Sequence, residues 1–212
     1  TDPAGIDCGS TCQAVFVSGV PVTLRAIPTS DAVFTRWSGD CVGEETTLSI
    51  TLTADRTCMA NFTGLFGAAA HFPVGRFPVH IQFGDLNGDG KADLVTPNEF
   101  GDSVSVLLGA GDGSFGPATH FPVGQGPCSV AIGDFSGDGI PDLATADAGT
   151  AMPADTVSVL FGDGAGNFSA PTTYTVGASP RGIVTGDLNR DGILDLAVAS
   201  WETDTASILI GN

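Results

Sequence analysis

Three nonapeptides set oxygen-bearing side chains on alternate positions of the chain. They are Asp85-Leu86-Asn87-Gly88-Asp89-Gly90-Lys91-Ala92-Asp93, Asp134-Phe135-Ser136-Gly137-Asp138-Gly139-Ile140-Pro141-Asp142 and Asp187-Leu188-Asn189-Arg190-Asp191-Gly192-Ile193-Leu194-Asp195. Positions 1, 3, 5 and 9 carry Asp, Asn or Ser, and position 6 is Gly in every copy. Hard divalent cations take six to eight oxygen ligands, and a short loop with alternate side chains turned inward supplies most of them. The Gly permits a sharp turn that can also present the position 7 carbonyl of Lys91, Ile140 or Ile193. The expected ligand sets are Asp85, Asn87, Asp89, Lys91 and Asp93; Asp134, Ser136, Asp138, Ile140 and Asp142; and Asp187, Asn189, Asp191, Ile193 and Asp195, each for one Ca2+, about three ions in all. The same residue types also make ordinary solvated turns. Their recurrence in register three times favours the metal.

An EF-hand requires a bidentate Glu at position 12 and a helix on either side. Position 12 is Thr96, Thr145 or Val198, and the residues after each loop (Leu94-Val95-Thr96, Leu143-Ala144-Thr145, Leu196-Ala197-Val198) are strand-like. Each loop is therefore expected to join two strands, closed by the Asp at position 9. In this the nonapeptides resemble the calcium loop of FG-GAP/VCBS-type repeats, and the resemblance covers residues from about 64 to 212. It implies the blades of an integrin-like β-propeller.

The blades must position these loops. Phe66-Gly67, His71-Phe72-Pro73-Val74-Gly75 and Asp85 recur 49 residues later as Phe115-Gly116, His120-Phe121-Pro122-Val123-Gly124 and Asp134. The next step, Asp134 to Asp187, is 53, with four extra residues in the stretch from Asp147 to Asp155. A period near 50 with several short strands per unit is a propeller signature. Three units are expected, at about 64–112, 113–165 and 166–212. Each runs loop, strand (92–96), turn, strand (103–108), Gly-rich hairpin, strand near 115–121 and a strand into the next Asp (129–132). Propellers close with four to eight blades, and three leave an unfinished start and finish. A fragment of something longer, or neighbouring copies covering open edges in a head-to-tail filament or ring, are the expected explanations; a monomer with bare edges is the least expected.

Residues 1–62 read as a separate small β-domain. Short runs at 14–17, 20–26, 32–37, 47–52 and 58–62 are rich in β-branched and aromatic residues, with Val22, Leu24 and Ala26, and Leu48, Ile50 and Leu52, on alternate positions. Four of five cysteines, Cys8, Cys12, Cys41 and Cys58, lie here. That density fits a disulfide-stapled domain in an oxidising compartment. Four cysteines allow three pairings; Cys8–Cys12 with Cys41–Cys58 is the expectation. A zinc site is the rival, but the segment has no His and no Cys-x-x-Cys pair. Pro3-Ala4-Gly5-Ile6-Asp7-Cys8-Gly9, Phe34-x-x-Trp37-Ser38-Gly39 and Ala60-Asn61-Phe62 resemble a divergent bacterial Ig-like repeat of surface and secreted proteins. The resemblance implies a core Trp37. Family members usually carry a further strand before the Pro-Ala-Gly-Ile segment, which here stands at the start of the sequence, and often a Cys near Leu48, whereas here the later cysteine is Cys58.

The fold class expected is thus all-β: a small disulfide-stapled β-sandwich at 1–62, then three propeller-type blades with calcium loops at 63–212. Thirty Gly and 13 Pro agree with a turn-rich chain. A formal charge of −17, with seven Lys and Arg against 24 Asp and Glu, argues against nucleic acid. The acidity is expected to be in part a metal-site signature, and the rest suits a soluble, extracellular surface. No apolar run approaches a membrane span, and no signal-peptide pattern is visible.

No catalytic constellation stands out. His71 and His120 hold equivalent repeat positions, as structural residues would, and His80 reads as a strand residue. Cys128 reads as a small buried hydrophobe. Not an enzyme, then, but a structural or adhesive module whose partners are copies of itself or other surface proteins. The alternative is a propeller that binds glycans or a protein partner, with Trp201 in a polar stretch as a candidate contact.

Overall fold

The computed structural model describes residues 18–28, 30–149 and 155–212. The chain divides into two compact units, Thr1–Ala70 and His71–Asn212. Among the described residues every regular element is a strand except a one-turn 3-10 helix at Glu99–Gly101.

In the first unit, β1 (Pro21–Arg25) pairs antiparallel with β3 (Thr47–Thr51), and β2 (Ala32–Gly39) with β4 (Cys58–Gly64). The β1–β3 register sets Val22 opposite Ile50 and Leu24 opposite Leu48, so the alternate apolar positions share one face. Both two-stranded sheets contribute to a single cluster: Leu24, Leu48 and Ile50 from one, Phe34, Trp37, Cys58 and Ala60 from the other, with Ala26 and Cys41. Trp37 is buried as expected, and its indole N–H donates to the Glu45 carbonyl (2.9 Å), which removes the cost of burying that donor. The Cys41–Cys58 disulfide forms, with Cα atoms 5.1 Å apart. The expected strand at 14–17 and the Cys8–Cys12 pairing lie outside the described residues.

The second unit is a succession of antiparallel up-and-down sheets. Sheet 1 comprises β5 (Gln82–Gly84), β6 (Asp93–Asn98), β7 (Ser103–Leu107) and β8 (Thr119–Pro122). Sheet 2 comprises β9 (Pro127–Gly133), β10 (Asp142–Ala148), β11 (Asp155–Leu160) and β12 (Thr172–Thr175). Sheet 3 has β13 (Pro180–Gly186), β14 (Asp195–Ser200) and β15 (Thr205–Leu209). The sheets are not closed into a propeller ring. The expected divisions near 112/113 and 165/166 fall inside sheets, between third and fourth strands. The reason is that each sheet gathers the strand before its Asp loop and the strand beyond its Gly-rich hairpin. The strand expected near 115–121 begins only at Thr119; Phe115 makes a lone bridge to Gly109 while Gly111 and Gly113 turn the hairpin at φ +87°. His80 precedes β5 rather than lying in a strand.

Neighbouring sheets pack through their first strands: β9 against β5 and β6, β13 against β9 and β10. Leu86, Val95, Val104 and Val106 of sheet 1 meet Val130, Leu143 and Leu160 of sheet 2. Ala144, Ala146, Val157 and Val159 of sheet 2 then meet Ile183, Leu196 and Val198 of sheet 3. Such stacking demands strands buried on both faces, and Ser105 and Ser158 are as fully buried as the valines beside them.

At the end away from the Asp loops, each second strand closes on a buried polar residue: Asn98, Asp147 or Ser200. Asn98 donates to Ser103 (3.1 Å) and Ser105 (2.9 Å). Asp147 receives the hydroxyls of Ser158 (2.6 Å), Thr145 (2.7 Å) and Thr156 (3.4 Å). A Cβ at Gly75 or Gly124 would collide with the Asn98 or Asp147 side chain, so the chain needs Gly to pass there. Burial outweighs the donated hydrogen bonds and pushes the Asp147 carboxyl up to about 6. A folded pKa above the ordinary 3.8 means that the associated stability is fully present below about pH 4 and is lost as pH rises through about 6. The loss is roughly 3 kcal/mol at neutral pH. Asn98 occupies the equivalent place without a charge. Asp147→Asn is therefore expected to be more stable than the parent at neutral pH, by about 1–2 kcal/mol, and to flatten the pH slope of denaturant unfolding between about 4 and 7. An unchanged slope would contradict the assignment.

Candidate metal centre

Each nonapeptide links the first two strands of its sheet: 85–93 joins β5 to β6, 134–142 joins β9 to β10, and 187–195 joins β13 to β14. Strands flank all three, as the position 12 residues required. The local sequence curls the loop. Asp85 accepts the amides of Asp89 (3.1 Å) and Gly90 (2.8 Å); Asp134 those of Gly137 (2.7 Å), Asp138 (3.1 Å) and Gly139 (2.8 Å); Asp187 those of Arg190 (2.6 Å), Asp191 (3.2 Å) and Gly192 (3.0 Å). The position 5 carboxylates of Asp89, Asp138 and Asp191 each accept the position 7 amide of Lys91, Ile140 or Ile193 at 2.8–2.9 Å. Asn87 and Asn189 accept the position 5 amide, and the Ser136 hydroxyl lies 3.4 Å from Asp134.

The curl uses the left-handed region twice. Position 6 (Gly90, Gly139, Gly192) has φ between +78° and +87°, as the motif implied. Position 4 is left-handed as well: Gly88 and Gly137 at +73° and +76°, and Arg190 at +66°, where a side chain is disfavoured. At Asp134 and Asp89 these contacts favour the charged carboxylate. The Gly139 amide, with Gly137, Asp138 and the Ser136 hydroxyl, draws the Asp134 pKa down; the Lys91 amide, then its ammonium 3.2 Å away, does so for Asp89.

Position 9 behaves differently. Asp93, Asp142 and Asp195 are wholly buried. One oxygen accepts amides of the same loop: Leu86 (2.9 Å), Phe135 (2.9 Å) with Ser136 (3.1 Å), or Leu188 (2.8 Å). The other reaches the glycine that opens the hairpin after the third strand: Gly109 (2.7 Å), Gly162 (2.9 Å) or Gly211 (2.9 Å). A Cβ at any of these glycines would strike a backbone carbonyl, of Ala92, Pro141 or Leu194. The sequence reading missed these glycines, although their recurrence just beyond each third strand was visible.

Among the described residues, no three His, Cys, Asp or Glu side chains form a group that could hold a metal ion. The carboxylates at positions 1 and 5 line the curled surface, while position 9 is engaged beneath it. The donor set is oxygen throughout, with no nitrogen or sulfur, and that chemistry fits a hard divalent cation. Of the histidines, His120 Nδ1 lies 3.0 Å from Ser105 Oγ and His80 Nδ1 accepts the Val130 amide (3.4 Å), so neither is near a loop carboxylate in its hydrogen bonding. Cys128 is half-buried and unpaired, its Sγ 3.7 Å from an Arg181 nitrogen, and burial raises its pKa.

A chain of strand–loop–strand sheets carrying one Asp-rich curl apiece defines a repeat protein, and the family comparisons agree. The FG-GAP-like repeat matches residues 95–145 and 146–198, and the divergent InlB B-repeat domain matches residues 7–64. The chain carries two FG-GAP-like repeats preceded by a divergent InlB B-repeat domain. The matched repeats start within β6 and end within β14, so each runs from the second strand of one sheet into the second strand of the next. No curated protein matches the chain.

Positions 5 and 9 can be separated experimentally. In excess chelator, Asp142→Ala strands three amides around a cavity and is expected to cost about 3 kcal/mol or more in denaturant unfolding. Asp138→Ala, at the surface with one amide to release, is expected to cost about 1 kcal/mol or less under the same conditions. Equal losses would refute the division of labour.

Proposed function

We propose that the chain is an extracellular structural and adhesive module whose three Asp loops are made rigid by calcium, and that it serves as a subunit of a head-to-tail assembly. The observation that carries this reading is the similar curl of three oxygen-rich loops between the first and second strands of three successive sheets. Both repeat types are structural or adhesive modules. A disulfide in so small a β-unit supports an oxidising compartment. Among the described residues no helix is long and apolar enough to cross a membrane.

Asp85, Asn87 and Asp89, and their counterparts Asp134, Ser136 and Asp138, and Asp187, Asn189 and Asp191, would supply side-chain oxygens, with Lys91, Ile140 and Ile193 offering carbonyls. Asp93, Asp142 and Asp195 would contribute while remaining tied to the hairpin glycines. A bound cation would cancel repulsion between the clustered carboxylates. Binding confined to the folded state stabilises it by mass action.

A second reading has its own support. At the end of the sheets opposite the loops, the Arg181 guanidinium lies 5.5 Å from the ring of Trp201, which is 70% exposed. Arg76 lies 5.7 Å from the Phe100 ring, itself stacked on Phe77 at 4.5 Å. Exposed ring–guanidinium pairs suit a glycan or a protein partner, and binding to a defined sugar by otherwise monomeric protein would favour that role. For the primary reading, the test is thermal unfolding in millimolar calcium and in excess chelator. Chelation is expected to lower the melting temperature by well over about 5 °C, several times the shift of a single weak interaction. Coincident melts would sink the calcium proposal.

A further inference from the structure

We infer that the three Asp loops are unequal calcium sites. Loop 134–142 is the tight one and fills first, while loops 85–93 and 187–195 are held back by side chains of their own. This rests on the calcium reading above and adds which loop responds at which calcium concentration.

The difference lies in the carboxylate at position 5. One oxygen of Asp89, Asp138 and Asp191 accepts the position 7 amide in all three loops. The other oxygen is treated differently each time. Asp89 Oδ2 accepts the Lys91 ammonium at 3.2 Å. Asp191 Oδ2 accepts the side-chain amide of Asn189 at 2.7 Å. Asp138 Oδ2 takes no hydrogen bond among the described residues, and Ser136, which stands where the other loops have Asn, has no side-chain N–H to offer it. An ion that uses this oxygen in 85–93 or 187–195 must first displace a donor. In 134–142 the oxygen is free.

Formal charge follows the same order. Each loop has three Asp, but 85–93 adds Lys91 and 187–195 adds Arg190, so only 134–142 keeps its three carboxylates unopposed. The unit from His71 to Asn212 has four Lys and Arg residues (Arg76, Lys91, Arg181 and Arg190), and half of them stand in these loops. Oxygen loops tune their calcium affinity by the count of charged ligands and by rigidity. Rigidity points the same way. Asp134 and Asp142 accept three amides each, whereas Asp85 and Asp93 accept two each. In 187–195, Arg190 takes φ +66° where the other two loops have Gly, so that curl is held against backbone preference.

Lys91 is aimed by the hairpin that follows the third strand. Its stem runs along Gly111, where an added Cβ would lie 3.0 Å from Lys91 Cδ. Ile140 holds the same place against Gly164 in sheet 2, and there the side chain ends without a charge. Beside Lys91 opens a cleft of about 330 Å³, lined also by Gly90, Ala92, Gly111, Ser114 and Phe115. The ammonium thus has two positions, on Asp89 when the loop is empty and out over the cleft when an ion displaces it. The Lys91 and Asp89 side chains are 44% and 34% exposed, and an exposed ion pair shifts an equilibrium by about fivefold at most. Lys91 therefore delays filling of its loop without preventing it. Calcium acts in two stages: one loop is set at low concentration, and its two neighbours respond over a higher range.

The test strips residues 1–212 with chelator and titrates calcium back, with the backbone amide resonances of Gly90, Gly139 and Gly192 reporting the three loops separately. Gly139 is expected to move first, and Gly90 and Gly192 at calcium concentrations about fivefold higher or more. Lys91→Met keeps the stem on Gly111 and removes the ammonium. It is expected to lower the Gly90 midpoint by about fivefold and to leave that of Gly139 unchanged. Asn189→Ser with Arg190→Gly is expected to do the same for Gly192. Ile140→Lys transfers the competing cation to the middle loop and is expected to bring Gly139 into the range of the others. Unfolding in excess chelator checks each variant's fold; should Ile140→Lys not fold, the variants at the exposed residues 91, 189 and 190 decide. Coincident midpoints in the parent, or a Gly90 midpoint that ignores Lys91→Met, would overturn the ranking and leave calcium binding in place. Glycine amides that stay still up to millimolar calcium would overturn the calcium reading, and the ranking with it.

Discussion

A buried carboxylate shared between two turns is the contact on which the second unit depends. Asp93, Asp142 and Asp195 each fasten the start of an Asp loop to the glycine that begins the hairpin two strands later. Carboxylates accept amide protons more strongly than neutral groups do, and burial raises the penalty for leaving either side unpaired. The second and third strands are thereby fixed in register at the loop end, and the hairpin that leads to the fourth strand starts from a defined place. The curl of the loop is arranged around this anchor, so an ion would strengthen a shape that backbone hydrogen bonds already favour.

The opposite end of each sheet is held by a different device. There a polar residue on the second strand bonds hydroxyls of the third strand, and at Asp147 of its own as well, while a glycine from earlier in the chain (Gly75 or Gly124) passes over it. The three versions are unequal. Asn98 satisfies its neighbours without charge, Asp147 does so with a carboxyl that burial opposes, and the Ser200 hydroxyl, buried in the third sheet, has no hydrogen-bond partner among the described residues. Repeat proteins stabilise chiefly through nearest-neighbour interfaces. In sheet 3 this node is the loosest of the three, and Ala199 and Ala206 beside it are exposed.

Much of this was legible from local pattern. The alternation of Asp, Asn and Ser with Gly specified the curl, because every hydrogen bond that forms it spans at most five residues. Alternating Val22 and Leu24 against Leu48 and Ile50 specified a one-faced pair of strands. The phase of the sheets was not legible, since grouping by sequence repeat cannot tell which neighbouring strand a hairpin arm will join. Position 9 has a second role that the motif alone did not reveal: its partners Gly109, Gly162 and Gly211 lie 16 to 20 residues away and become visible only through pairing.

Sequence by itself settled the class of the chain: strands throughout, a period near 50, and oxygen-lined turns, all of which follow from backbone preferences and side-chain chemistry acting over a few neighbours. Tertiary structure decided which residues are hidden. Ile81 and Val130 stand at the same place in the repeat and are alike in chemistry, yet one is in solvent and the other sealed, because burial is a property of the strand lying opposite and not of the residue that is covered.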